Sequence, residues 1–439
     1  MPSLESSARS LPHLPTVSRL TIDGKLRTDF TWVLSGNAVF SACQWAVVLL
    51  LAKLGNPEMV GSYALGMAVS APIILFANFQ LRALLVSDVD DHYNFEDYLA
   101  FRLITLAIAL LVVLGVAFGT QRSLIPGTII LLIAIVQALE CISDTYYGLL
   151  QRRERMDRIS CSLIAKGLLS LLILGWATYV THSIVWAVNG LIAGRLLVLL
   201  QWDSRLKFGP SRIYGPHVLR LQWNTTRMMQ LLRSVLPLGA ISGLISLNAG
   251  IPRYFIEAHC GNRDLGIFSA TSSLLSAGTL LMAAFGQSIF YPVAKACKDK
   301  NILRFRTLAL QAMMIATALG GVAIFITLLQ GRAILGLLFK PEYGNHADLL
   351  VKLMLVGTVT FIVSGQGYVM TAARWLKPQI PLLILGLLSS SAACAWLIPR
   401  RGIMGAADAM LIAALIQLTG GSIILILIDR QLRLPEAGA

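Results

Sequence analysis

Charged and amide side chains stand inside stretches of this sequence that are otherwise apolar, and these are the groups able to do chemistry. Arg82, Arg195 and Arg253, the carboxylates Glu140 and Asp144, and the amides Asn37, Gln44 and Asn248 all fall there. An ionisable group at the centre of a bilayer costs about 2.5 kcal/mol or more, so it is a candidate functional residue by default. Arg253 lies seven residues after Ser246 on one face of a helix that also carries Ser242 and Asn248. A guanidinium is always charged and donates hydrogen bonds in a planar fork, which suits a phosphate or diphosphate. Arg82 follows Asn78 and Gln80 near the end of another apolar stretch, and Arg195 sits within NGLIAGRLLVLL. For each arginine the structural alternative is a long side chain snorkelling to lipid headgroups.

The carboxylates belong to a second pattern. Gln137, Glu140, Asp144 and Tyr147 are spaced by three and four residues, which puts them on one stripe of a helix. Such a stripe binds a coupling proton or sodium ion, or pairs with Arg or Lys of a neighbouring helix; Lys166 is a plausible partner. Asn37, Ser41 and Gln44 form a polar stripe expected to face a cavity. Lys352 and Asp408 are isolated charges expected to be structural. No HExxH, GxSxG, nucleotide-binding loop or metal-type cluster occurs, and the six cysteines are scattered without CxxC spacing. No catalytic residue, metal or cofactor is therefore expected, and the chain reads as a non-enzyme.

The elements that must position these residues follow from composition. Of 439 residues 56% are hydrophobic and 13% charged, and the mean hydropathy is +0.72. A soluble domain cannot hide so much apolar surface. About 20 apolar residues cross a bilayer as a helix. Twelve spans are read at 30–52, 60–86, 99–118, 124–150, 161–180 and 184–202, then at 231–256, 265–293, 306–330, 347–373, 378–398 and 402–428. The segment 331–346 is too short to span and reads as an interfacial helix and turn. The expected organisation is a disordered tail (1–28), a six-helix bundle (29–202), a basic linker (203–229), a second six-helix bundle (230–430) and a short tail (431–439). With an even number of spans and the N-terminus inside, 26 of the 36 Lys and Arg fall on the cytoplasmic side and eight outside. That asymmetry places both termini in the cytoplasm. The net charge of +14 thus reads as topology signals and contacts with membrane lipids, and no nucleic-acid partner is expected.

An internal repeat supports the division. Gly55-Asn56-Pro57-Glu58 through Gly61 matches Gly261-Asn262-Arg263-Asp264 through Gly266 with one gap, and each copy opens the second span of its block. Two six-span halves of equal orientation would be related by a pseudo-twofold axis along the membrane normal, with a central cavity between them.

The run LLLAKLGNPEMVGSYALGMAVSAPIILFANFQLRALL, with Leu54-Gly55 and Gly61-Ser62-Tyr63, resembles the first loop and second helix of polysaccharide and O-antigen flippases. These belong to the multidrug/oligosaccharidyl-lipid/polysaccharide exporter superfamily. SVLPLGAISGLISLNAGIPRYFIEAHCGNRDLGIFSA is similar to that family's seventh span and the start of its eighth, although Pro252 stands where many members carry an acidic residue before the arginine. The resemblance implies an all-α membrane protein of two six-helix bundles around a V-shaped cavity in the inner membrane of the cell. It also implies alternating-access transfer of a polyprenyl-diphosphate-linked oligosaccharide to the outer leaflet, with a glycan polymerase or glycosyltransferases as partners. A cation-coupled drug exporter of the same superfamily is the alternative, favoured by Glu140 and Asp144; a membrane polysaccharide polymerase or ligase is the third reading.

Overall fold

A computed structural model describes residues 19–88, 92–120, 124–204, 225–375 and 378–433. Among these every regular element is helical, and eleven helical segments are long and apolar enough to cross a membrane. The first half comprises α1 (Arg19–Leu54), α2 (Pro57–Asn78), α3 (Leu81–Ser87), α4 (Phe95–Thr120), α5 (Leu124–Arg152), α6 (Met156–Thr181) and α7 (Ile184–Val198). The second comprises α8 (Thr225–Cys260), α9 (Asn262–Ser273), α10 (Leu275–Lys298), α11 (Ile302–Leu338), α12 (Ala347–Ala372) and α13 (Gln379–Arg433). α2 with α3, and α9 with α10, each form one span.

α13 is the exception in length, at 55 residues, which would reach about 80 Å at 1.5 Å per residue. It folds back instead at Gly402, where φ 59 and ψ −140 suit a residue with no Cβ. Gly386 then lies against Gln417, and Gly420 against Leu382, so the two arms run side by side. Among the described residues there are thus twelve segments able to cross, of which α13 supplies the last two.

The element edges differ from the hydropathy reading at three places. α1 begins at Arg19, so residues 19–28 of the expected tail are helical, and residues 1–18 lie outside the described residues. The linker is described only at its two ends, up to Ser204 and again from Thr225. The short segment after residue 330 is the continuation of α11 beyond a kink at Gln330, followed by a 3-10 turn at Pro341–His346.

Packing repeats between the halves. α1 lies along α6 as α8 lies along α13, and α5 packs on α2 and α4 as α12 packs on α10 and α11. Each half thus forms a lobe. α8 crosses to the first lobe and runs the length of α2, with Gly239 against Phe76 and Phe79, Gly243 against Phe76 and Pro72, and Gly250 near Ala68. Small residues at such an interface let the backbones approach. Tyr254 donates its hydroxyl to the carbonyl of Ala68, and Gln80 Nε2 donates to Ser242 Oγ at 3.0 Å.

The opposite ends of the lobes meet through the sequence repeat. At the face distal to the termini, Gly61 of the first copy touches Asn262 of the second, and Gly266 of the second touches Pro57 of the first. A Cβ at Gly61 would lie 1.9 Å from the Asn262 carbonyl oxygen, and one at Gly266 would lie 1.8 Å from that of Pro57. Asn262 Nδ2 donates to the Glu58 carbonyl at 2.9 Å and to Ser62 Oγ at 2.7 Å, and Lys340 Nζ donates to the Gly55 carbonyl. The distal face is therefore shut. On the flank away from α2 and α8, α1 reaches the second lobe through α9, whereas α10 packs on α11 and α12 of its own lobe.

Overpacking a close contact costs about 1–3 kcal/mol, or roughly five- to 150-fold in an equilibrium between closed and open lobes. Gly61→Val and Gly266→Val are expected to open the distal face. Spin labels at Lys53 and Arg263, one on each lobe, report it: the wild-type population is short, and each variant gains a longer distance. An unchanged distribution in both variants would exclude these glycines as the closing contact.

Candidate functional site

The α5 stripe is the spine of the site, and each of its polar members reaches a different helix. Gln137 Nε2 donates to Ser70 Oγ on α2 at 2.7 Å. Glu140 Oε2 lies 3.3 Å from Arg195 Nη1 on α7, and Glu140 Oε1 lies 4.0 Å from Lys166 Nζ on α6. Asp144 Oδ1 accepts from Arg82 Nη1 on α3 at 3.1 Å, and two turns on Gln151 Oε1 accepts from Arg82 Nε at 2.9 Å. The 3.6-residue period has put one face of α5 against four helices.

Behind the stripe lies a second row. Lys166, 1% exposed, donates to Tyr147 Oη at 2.8 Å and lies 3.5 Å from Asp203 Oδ2. Tyr147 Oη and Ser162 Oγ are 2.8 Å apart, and Ser162 donates to Asp203 Oδ1 at 2.5 Å. Asp203 is fully buried because α7 ends in one π turn, Leu199–Asp203. A π turn is wider than an α turn and is frequent at functional sites. Here it swings the last carboxylate of the span inward.

Two features hold Arg82 in place. α2 breaks at Phe79 and Gln80, both left-handed (φ 50 and 47), and α3 restarts at an angle that lets Arg82 reach Asp144. Arg102, fully buried on α4, donates from Nη1 to the Asn78 carbonyl at 2.7 Å and from Nε to Thr145 Oγ1 at 3.0 Å. A cation at the carbonyl end of α2 meets the negative pole of that helix. At the far end of α3, Asp88 accepts from the His92 and Tyr93 amides and the Tyr98 hydroxyl. Burial pushes its carboxyl up, but these hydrogen bonds outweigh burial and hold it below the usual range.

The cluster thus contains Arg82, Arg102, Lys166 and Arg195 against Glu140, Asp144 and Asp203. Side chains of Arg82, Asp144 and Glu140 are 32%, 26% and 29% exposed. A part-exposed charge within an apolar span is expected to open on water rather than hydrocarbon. Arg82 has further N–H groups that no described residue accepts.

Of the residues singled out in the sequence, Arg82, Arg195, Glu140 and Asp144 come together, and Gln44 lies beside them in a crevice shared with Lys166 and Arg195. The partner of Asp144 is Arg82, not Lys166. Asn37 is exposed and bonds the Val33 carbonyl of its own helix at 2.8 Å. Arg253 stands apart on α8: Nη1 lies 3.5 Å from the Ala249 carbonyl, and its buried Nε has no partner. Asn248, half-buried one turn earlier, also lies outside the network. Lys352 and Asp408 pair at 2.5 Å, with Arg401 at 3.3 Å from the same carboxylate. Sequence reasoning missed Asp203, Ser162 and Arg102. The signal for Asp203 is a lone carboxylate ending an apolar span, and that for Arg102 a lone cation inside one.

The sequence profile of the polysaccharide biosynthesis protein family matches residues 26–297. The chain belongs to that family. It is 26% identical over 398 residues to the capsular polysaccharide biosynthesis protein CapF of Staphylococcus aureus, covering 89% of this chain and 96% of CapF. Its fold is that of solved transporters. An inward-facing multidrug resistance MATE family transporter of the MOP superfamily superposes with TM-score 0.71 at 13% identity, covering 92% of this chain and all of that one. The lipid II flippase MurJ in an inward closed conformation superposes at 0.69 and 11% identity, covering 91% and 89%. An outward-facing MATE transporter scores 0.61 at 14% identity, covering 93% and 96%.

Removing one partner of a buried ion pair strands the other, at about 3–5 kcal/mol, whereas replacing both by apolar groups is often neutral. Asp203→Leu is expected to destabilise the purified protein strongly in thermal unfolding, and Lys166→Met with Asp203→Leu to recover most of the loss. Equal destabilisation by the single and double variants would exclude direct pairing.

Proposed function

We propose that the protein is a flippase that moves a polyprenyl-diphosphate-linked oligosaccharide from the cytoplasmic to the outer leaflet of the inner membrane, for cell-surface polysaccharide synthesis. The observation that carries this reading is Arg82: a part-exposed guanidinium with N–H groups that no described residue accepts, in a cluster where cations outnumber carboxylates. Diphosphate is the substrate group that needs such a partner, because its charge cannot cross hydrocarbon unaccompanied. Asp144 occupies Arg82 when no substrate is bound, and an entering diphosphate exchanges with it. The step is translocation; no bond is made or broken.

With both termini in the cytoplasm, the shut distal face is the outer one. The higher TM-score to the inward-facing than to the outward-facing transporter supports an inward-facing state. Alternating access then means parting the repeat contact at Gly61 and Gly266 while the lobes close over the cluster. Membrane lipids and glycan-assembling enzymes are the natural partners of such a cycle.

A second reading, a cation-coupled drug exporter, draws on the half-exposed Glu140 and Asp144. Both carboxylates already hold a cation of the protein itself, which leaves them poorly placed to take up another.

Deleting the gene in its host is expected to trap the lipid-linked intermediate in the inner leaflet and abolish the surface polymer. Charge-assisted hydrogen bonds contribute about 1.5–3 kcal/mol, so Arg82→Ala should restore roughly a tenth or less of the polymer and Arg82→Lys more. Unchanged surface glycan with altered tolerance to cationic drugs would overturn the flippase in favour of the exporter.

A further inference from the structure

At the terminal face of the second lobe, on residues outside the α5 cluster, a concave pocket of about 720 Å³ opens between the last turns of α10 and α12. Tyr291, Lys295, Lys298 and Asp299 line it from α10 and its cap, and Arg374 lines it from the turn after α12. The other face of α10, Ile289, Val293 and Ala296, is buried in the lobe core against Val369 and Met370. That burial fixes the rotation of α10, so Tyr291, Lys295 and Lys298 point out of the core.

The charge of this pocket is unspent. Lys295, Lys298 and Arg374 are exposed, and none forms an ion pair or side-chain hydrogen bond among the described residues. Neighbouring cations on the same face do pair: Arg306 and Arg433 with Asp429, Arg155 with Asp157. Asp299 is the one acid in the lining. The carbonyl ends of α10 and α12 absorb part of the positive charge, each about half an elementary charge, and a positive surplus remains.

We propose that this pocket is a docking site for a lipid-borne phosphate group: that of an anionic phospholipid, or the diphosphate of the lipid-linked substrate. Three observations support it. The pocket lies at the face where Lys and Arg concentrate, hence at headgroup depth on the cytoplasmic side, and basic pockets between transmembrane helices there suit phosphate headgroups. Its volume is that of a ligand site rather than of a single ion. It lies on α10, on the flank where the lobes are joined only at the distal face, so a lipid can reach it sideways. The diphosphate source rests on the flippase reading; the phospholipid source does not.

The full-length protein in phosphatidylcholine nanodiscs would be titrated with phosphatidylglycerol or farnesyl diphosphate and bound copies counted by native mass spectrometry. Saturable binding is expected, weakened at least about tenfold in Lys295→Gln/Lys298→Gln/Arg374→Gln and less than about twofold in Arg233→Gln/Arg304→Gln/Arg430→Gln, which removes equal charge elsewhere on that side. Lys295→Arg/Lys298→Arg/Arg374→Lys should keep the affinity. Saturation by phosphatidylglycerol alone assigns the site to phospholipid, and by farnesyl diphosphate alone to the substrate. Equal losses in both neutralised triples, or no saturable binding of either probe, would overturn the site. If gene deletion leaves the surface glycan intact while the phosphatidylglycerol result holds, the flippase reading fails and the site stands.

Discussion

The cost of a charge in hydrocarbon governs the first lobe. Glu140, Asp144 and Asp203 can exist at membrane depth only if each meets a cation, and the four helices around α5 are placed so that each does. The break in α2, the π turn ending α7 and the buried Arg102 are departures from regular helix, and all serve that pairing. A well-packed apolar lobe would need none of them, so their presence sets this lobe's ionic cluster apart from its apolar scaffold. Among the described residues no such cluster forms along the middle of α12, where Gln366 bonds Ser422 at 2.9 Å instead. Its ion pairs, Lys352 with Asp408 and Arg306 with Asp429, lie toward the two ends of its helices.

This asymmetry within a repeated architecture separates scaffold from function. The packing order of the two lobes is shared, and the α2–α8 seam joins them over its whole length. The buried ionic cluster sits in one lobe, and the repeat contact joins the two at the distal face. Because Pro57 and Gly61 belong to α2, the repeat contact continues the α2–α8 seam onto α9 at the distal face.

Much of this was legible in the chain. Twelve spans, the α5 stripe and the interest of Arg82 and Arg195 followed from hydropathy and helical period. What hydropathy could not give was which cation meets which carboxylate. Lys166 does reach the stripe, at Glu140 and Tyr147, and also Asp203 behind it, but the non-helical residues Phe79 and Gln80 re-aim α3, so that Arg82 takes Asp144. Nor could an α-helical period have turned Asp203 inward, because a π turn changes the period itself. Arg253 illustrates the reverse: a charge conspicuous in the sequence that the fold keeps away from the cluster.

The reciprocal contact at the distal face carries a historical implication. Gly61 meets the second copy of the motif, and Gly266 meets the first, in the pattern by which a patch on one subunit of a twofold dimer touches its own counterpart on the other. A single six-span chain bearing one copy of the Gly-Asn-x-(Asp/Glu) motif, with its glycine two or three residues on, could have formed this surface by homodimerisation. Gene fusion would then have freed the two halves to diverge, one keeping the self-complementary motif alone and the other adding ionic machinery. Dimerisation geometry, on this view, is older than the cargo.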